Sequence, residues 1–571
     1  MADDFDMFGP FGWDTDGGED WSAGSIAVLD LDAHLGKDLL LIAEPWALLD
    51  VSDDDGLDVF PPFGEIDDGG WATAAAQTET LYIAATTGRS TDNDDEPPAQ
   101  HVPGLLLPWN FGARLFDGVN PLARGSENIG ILRMVDPSGR LDPLNGRNWD
   151  SVDLTIKRGP RTAQYRDWPV IGRFKSNGLL RDLNEKQLRV RDLGWQMNAA
   201  LHGETYEGTG GVEGMASLKG VLKPWALGTC YNVAPVLLDT TDQIFQWSLT
   251  SSQACTQLLH GAIPLIFNAD HASYAALAAA VIPAGRYDTC LALSLARPNV
   301  ALQYEIRVDV VGDAETYEGH PAPMTRAAIA RRIVTARGAN ALDDAEEIDA
   351  SSFQTMDAYH SAPVGFHFAA DTTKAAALDR VLQGVLGWRR MRPDGRLTIG
   401  WVEAPENMTA AVTFEFARHG MGIPRLVVSE PPRQGTRIGY RFNNARQPDR
   451  GSLAPLADED EKTQRGQEAS FAEDLAPAIG TLWPTSEIVT IADAGFRDQA
   501  DAVLEAQRQQ EIFKSVRYRW EIEMQVDPFI DLIGYAAALT SAPQVVGEGR
   551  AMLCVGINAT GTSISVLEFF V

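Results

Sequence analysis

The sequence predicts a multi-domain, mainly β protein with α+β insertions, and three observations lead there. Its 571 residues exceed what one hydrophobic core can serve, because cores stop growing near ~250–300 residues, so three to five domains are expected. Short apolar runs alternate with turn dipeptides through much of the chain, without intervening helical periodicity over 105–200. Strands at that spacing suggest a barrel or sandwich. Hydrophobic content of 44% and charged content of 22% are those of ordinary globular domains.

Along the chain, residues 1–22 mix Asp and Gly with Phe5, Phe8, Phe11, Trp13 and Trp21. Such a segment cannot build its own core and reads as an acidic, flexible N-terminal arm. Residues 23–200 read as a β-barrel or sandwich domain. Within it Ser25–Leu31 is expected as a strand with 39–42 as its partner, and Leu81–Ala84 as another. Val152–Lys157 alternates strictly, and Val170–Phe174 and Gln187–Asp192 repeat the pattern. Residues 201–365 open with a glycine-rich stretch (201–223) read as a long ordered loop, then a β-rich middle domain. Ala272–Ile282 is expected as a helix stopped by Pro283, and Thr325–Arg337 as a helix with Thr325 as N-cap. Residues 366–405 form a small helix-hairpin unit, with a helix at 372–386 and strands flanking Arg392-Pro393-Asp394-Gly395. Residues 406–571 read as a β-rich domain with one long helix at Gly495–Lys514, whose charged face carries Arg497, Asp501, Glu505 and Arg508. The stretch 443–467 reads as polar, rich in Asp, Glu, Arg and Pro.

Charge narrows the function classes. The net charge is −32, a field that repels nucleic acid. Residues 1–100 hold 24 Asp+Glu against Lys37 and Arg89, a net of −22, so the remainder carries only −10. The acidic start lacks the basic region of a signal peptide, and the longest apolar stretch, 274–283, is too short to span a bilayer. Cys230, Cys255, Cys290 and Cys554 lie far apart, which suits buried free thiols better than a zinc site or a disulfide framework.

Catalytic spacing is hard to find. The close histidine pairs, His260/His271 and His360/His367, have neither HExxH spacing nor a nearby Cys. Gly561-Thr562-Ser563 is not a nucleophile elbow. Gly208-Thr209-Gly210-Gly211-Val212-Glu213-Gly214 superficially suggests a dinucleotide loop, but Gly220 and Pro224 prevent the helix that would have to follow; positive φ is the simpler demand. Asp53, Asp55 and Gly56, or Asp14, Asp16 and Gly17, fill some positions of a calcium loop, while the first and last ligands are missing. Solvated acidic loops are expected there. No catalytic, cofactor-binding or metal-ligating residue is therefore assigned, no cofactor is expected, and the chain reads as non-enzymatic.

Two regions carry a resemblance. Arg114-Leu115-Phe116-Asp117-Gly118, the run Val135 to Leu144, Asn145-Gly146-Arg147 and the ordered loop from Tyr206 to Pro235 resemble a segment of siphophage and prophage tail-tip proteins of proteobacteria. In that loop Thr209-Gly210-Gly211, Glu213-Gly214, Leu218-Lys219-Gly220, Lys223-Pro224 and Asn232 stand in the family's order. The C-terminal third is similar in layout to baseplate hub proteins of the gp27-like tail hub class, through Asp394 to Ile399, Arg437 to Asn443, Ala500 to Arg508 and Tyr518 to Val571. The resemblance implies tail-tube-like β-barrels plus small α/β domains. It also implies self-association into a ring, with a trimer favoured, in which two barrels per subunit mimic a sixfold tube end. It places the chain in the virion, at the baseplate or tail tip, after synthesis in the host cytoplasm. Implied partners are a distal tail protein, a tape-measure protein and tail fibre or tip proteins, with DNA passing through unbound. The first 100 residues are more acidic than the family leads one to expect. The alternatives are a tail-associated cell-wall hydrolase or a carbohydrate-binding host-recognition protein, with Trp109, Trp149 or Trp168 as sugar platforms.

Overall fold

The computed structural model describes residues 37–43, 81–85 and most of 89–571, with 107–109, 117–128, 526–530, 542–548 and a few shorter pieces excepted. The expected strand Ser25–Leu31, the arm 1–22 and the acidic loop 53–58 lie outside the described residues.

The N-terminal part forms a barrel because its strands alternate apolar and polar residues through several consecutive ladders. In Asp150–Pro160 the residues Val152, Leu154 and Ile156 point inward; in Val170–Arg181 Phe174 does, and in Glu185–Arg191 Leu188 and Val190 do. Around the ring Lys37–Ala43 pairs with Asp150–Pro160, which pairs with Val170–Arg181, then Glu185–Arg191, then Ile129–Val135. Ile129–Val135 meets Gly104–Leu106, which runs parallel to Leu81–Ala85, and that strand returns to Lys37–Ala43. The ladder thus closes on itself with seven strands. Both sides of Leu40–Ala43 are taken by Leu81–Ala84 and Leu154–Lys157. The sequence expectation that 39–42 pairs with Ser25–Leu31 is therefore corrected.

The ring also has an exit. At Ile129–Ile131 the neighbour is Asn110–Arg114, whose other side pairs with Ala551–Thr560 near the C-terminus. From there the same sheet continues through Ile564–Phe570 and Arg517–Met524 to Arg425–Glu430. A branch from Ala551–Thr560 runs through Ala536–Thr540 to Val412–Glu415. The two halves of the chain thus share one 14-stranded sheet, and Phe116 packs edge-on to Phe570 across the join, centroids 6.3 Å apart.

The middle of the chain forms a sandwich of two five-stranded sheets. One sheet orders Ile263–Pro264, Ala254–His260, Ile306–Gly312, Trp225–Val233 and Gly365–Phe368; the other orders Val236–Asp239, Ile244–Gln246, Leu295–Pro298, Arg286–Cys290 and Ile266–Asp270. Cys230, Val233, Val308 and Val310 from the first share a core with Phe245, Tyr287 and Ala296 from the second. All four cysteines are free; Cys230, Cys290 and Cys554 are buried and Cys255 half-buried.

The helices pack between the sandwich and the C-terminal lobe. Arg326–Thr335 is capped by Thr325, whose Oγ1 accepts from the Ala328 N–H at 3.3 Å, and Lys374–Gln383 by Thr373 in the same way. Two expectations shift. The alanine-rich helix is only Tyr274–Ala278, since the Arg297 guanidinium collects the carbonyls of Leu277, Ala278 and Ala280 and ends it early. The long helix starts at Gln499, not Gly495: Gly495 has φ +73° and belongs to the strand Ile488–Phe496, and a Cβ there would lie 2.3 Å from the Phe366 ring. The polar stretch contains a helix, Glu459–Gly466, whose first N–H groups are held by Asp458. Among the described residues no helix is long and apolar enough to cross a membrane.

Candidate functional surfaces

The residues that drew attention in the sequence serve separate local purposes. His260 Nε2 accepts the Tyr304 N–H at 3.0 Å, while His271 Nε2 lies 2.7 Å from Asp288 Oδ2, so each imidazole is engaged apart from the other. Asp288 is itself held by Asn268 Nδ2 at 2.8 Å and the Ala269 N–H at 3.1 Å. His367 is buried, with Nε2 3.3 Å from the Trp247 carbonyl, and His360 packs edge-on to Trp401 at 5.1 Å. Burial pushes their pKa values down, to about 4 for His367 and about 2 for His360. Among the described residues no group of three or more His, Cys, Asp or Glu could hold a metal ion. The partial calcium loops at Asp14–Gly17 and Asp53–Gly56 lie outside those residues. The acidic loop that follows Ser90 is tied down by protein groups: Asp95 Oδ1 accepts the Arg166 N–H at 3.0 Å, and Asp94 accepts from Gln164 at 3.2 Å.

In the glycine-rich loop Gly208, Gly210, Gly211, Gly214 and Gly220 all have positive φ. Only three-residue turns, Gly211–Glu213 and Ala216–Leu218, occur there, so no helix end is presented to a phosphate. Glu213 instead closes the loop on itself: one oxygen accepts from Lys223 Nζ at 2.7 Å and the other from the Glu207 N–H at 3.1 Å. The Lys223 ammonium holds the Glu213 carboxyl below its ordinary pKa. Trp149 and Trp168 are 3% and 2% exposed, the first with its indole N–H donating to the Leu144 carbonyl at 2.9 Å. Core positions cannot serve as sugar platforms. Trp109 lies outside the described residues.

Sequence reasoning misplaced one charged group. Glu505 and Arg508 do not form a solvated helix face; Glu505 is buried and Arg508 points into a joint. Arg508 donates to Glu505 Oε1 at 2.6 Å, to the Val402 carbonyl at 2.7 Å and to the Val385 carbonyl at 2.8 Å. Beside it Tyr359 stacks on Trp401, centroids 4.7 Å apart, and donates to Glu403 Oε2 at 2.8 Å. The helical period alone could not say which face was charged outward, because i, i+3 carboxylate–guanidinium pairs look the same on either side. A second buried pair, Arg465 to Asp309 at 2.9 and 3.0 Å, pins the Glu459–Gly466 helix to the sandwich, with Asp309 also accepting the Asn232 N–H at 2.7 Å. A third clamp joins the hairpin Gly387–Met391/Leu397–Trp401 to the C-terminal lobe through Asp531, which pairs with Arg390 and, at 3.0 Å, with Arg392. These arrangements lock rigid joints between parts. In each joint the charges are met by protein partners, so a buried charge is not left uncompensated.

Among the described residues, three strands end their sheets with apolar side chains standing in solvent beside them. Arg425–Glu430 ends the large sheet, and next to it Met421, Ile423 (93% exposed) and Leu426 stand in solvent. Ser470–Leu475 ends a three-stranded sheet and shows Phe471 and Leu475, with Leu482, Trp483 and Ile488 exposed nearby. Ile266–Asp270 ends the second sandwich sheet and exposes Ile266 and Phe267. A free edge carrying apolar side chains is a template for another chain.

No family model and no curated protein matches the sequence. Among solved structures the chain is similar to the 43 kDa tail protein of prophage MuSo2 from Shewanella oneidensis, at 10% identity and TM-score 0.32, over 82% of this chain and 95% of that one. It is similar to a tail protein from Neisseria meningitidis MC58 at 8% identity and TM-score 0.34, covering 83% and 93%. A chain from the virion of a native gene transfer agent particle aligns at 11% identity and TM-score 0.36, covering 62% and 85%. At these TM-scores the alignments carry no argument about fold or role.

Proposed function

We propose that this chain is a non-enzymatic structural subunit of a long-tailed phage virion, in the baseplate or central tail hub ring at the distal end of the tail tube. The observation that carries this reading is the shared sheet. A closed seven-strand barrel built from 37–191 passes, through Asn110–Arg114, into a second β lobe built from 412–571. That is the layout the sequence resemblance implies for a subunit contributing two tube-like β units to a ring. The free Arg425–Glu430 edge supports it, since ring closure satisfies edges that a monomer leaves open. The locked ionic joints support it further, because a collar must transmit force without changing shape. In the ring the subunit joins the tube to host-recognition proteins and lines the channel through which DNA leaves.

Immunogold labelling of purified particles with antibody to this chain tests the assignment. Gold at the distal tail end is expected; gold confined to the head, or a protein absent from washed particles, rejects it.

A further inference from the structure

The charge of the chain is distributed with a reversal at the barrel. Residues 1–36 hold nine Asp or Glu and no Lys or Arg, whereas residues 101–200 hold 15 Lys+Arg against 10 Asp+Glu. Bases therefore exceed acids along the stretch that forms most of the barrel wall.

The register places much of that excess on one outer face. Three adjacent strands, Ile129–Val135, Glu185–Arg191 and Val170–Arg181, turn Leu132, Leu188 and Phe174 inward. Their outward positions then carry Arg133, Arg189, Arg191, Arg173 and Lys175, opposed by Glu185. Arg133 is paired with Glu185 at 2.6 Å and Lys175 with Asp153 at 2.6 Å. Arg173 and Arg189 are exposed and, among the described residues, have no carboxylate partner. Two apolar side chains interrupt the same face: Ile131, 36% exposed and opposite Arg189, and Leu180, 42% exposed and opposite Gln187. Arginines beside small apolar islands form a surface suited to carboxylates alternating with aromatic rings.

Residues 1–22 have that composition: Phe5, Phe8, Phe11, Trp13 and Trp21 among seven Asp or Glu. The arm also starts from the right place. Lys37 pairs with Pro160 on the barrel itself, and the face lies two to four strands further round, roughly 10–20 Å at ~4.8 Å per strand. About fifteen extended residues would reach ~50 Å, so the intervening segment is more than long enough.

We propose that the acidic, aromatic arm of this chain, residues 1–22, docks on the basic outer face of its own barrel around Arg189, Arg133, Ile131 and Leu180. Carboxylates meet the arginines, and aromatic rings cover Ile131 and Leu180. The dense acid of the first residues is then matched to a net basic region next to it on the barrel.

Hydrogen–deuterium exchange on the full chain tests this. At low salt, amides within 1–22 should exchange at least tenfold more slowly than in the free peptide of the same sequence. High salt should remove that protection. The double variant Arg133→Glu/Arg189→Glu should also remove it, and Arg133→Gln/Arg189→Gln should reduce it by less. Exchange of the barrel strands, read in the same experiment, must stay unchanged in the variants used. Free-peptide rates in the wild type at low salt would overturn the proposal, as would full protection in the double variant. Protection that disappears on dilution would assign the face to another copy's arm and overturn docking in cis.

Discussion

At His360 and His367 the imidazoles sit in places where a proton has no favourable home, with pKa values near 2 and 4 against about 6.5 in an unfolded chain. Below pH 6.5 the unfolded chain binds protons that the folded chain refuses, so their contribution is complete above pH 6.5 and is lost as pH falls toward the folded values. For His367 the loss between pH 7 and pH 5 is about 2 kcal/mol. Urea unfolding at the two pH values should show the drop, and His367→Leu should be less stable at pH 7 but fall less steeply toward pH 5. Equal slopes in variant and wild type would show that His367 is not held neutral. The sequence could not reveal this, since a histidine's burial depends on the distant Trp247 strand that covers it. Glu505 illustrates the same limit: its helix was legible, but the side that faces inward is set by the Val385 and Val402 carbonyls that Arg508 reaches.

Elements were legible where local signals agreed. Strict alternation marked 152–157, and Thr325 opened its helix because a hydroxyl at the N-cap satisfies an otherwise orphan N–H. They were less legible where a remote group intervened, as when Arg297 shortens the alanine-rich helix. Ladder partners were least legible of all: nothing near 110–114 announces a partnership with 551–560, more than four hundred residues away. At this scale the exposed edge makes a prediction. Ile423→Asp combined with Leu426→Lys touches no core position and should leave the melting temperature within a few degrees, because exposed substitutions usually change stability by less than ~0.5 kcal/mol. Self-association of the purified chain, read by sedimentation, should weaken at least tenfold. Unchanged association would place the subunit contact elsewhere.

Across the whole molecule, composition pointed to a large acidic multi-domain protein and strand spacing to a mainly β one, and the structure supplies what neither could: the chain folds back so that strands of 37–191 and of 412–571 share one sheet. The sandwich and the helices are tied to the C-terminal part by the Asp309–Arg465, Glu505–Arg508 and Asp531 clamps. A protein organised this way has two β lobes held at fixed spacing, one closed into a barrel and one ending in an open edge. In the proposed ring a neighbouring subunit would complete the open edge, and each copy would give two contributions to a tube wall. Negative-stain class averages of the purified full-length chain test that directly. Closed rings with threefold symmetry are the expected result, whereas single 62.0 kDa particles at every concentration tried would contradict it.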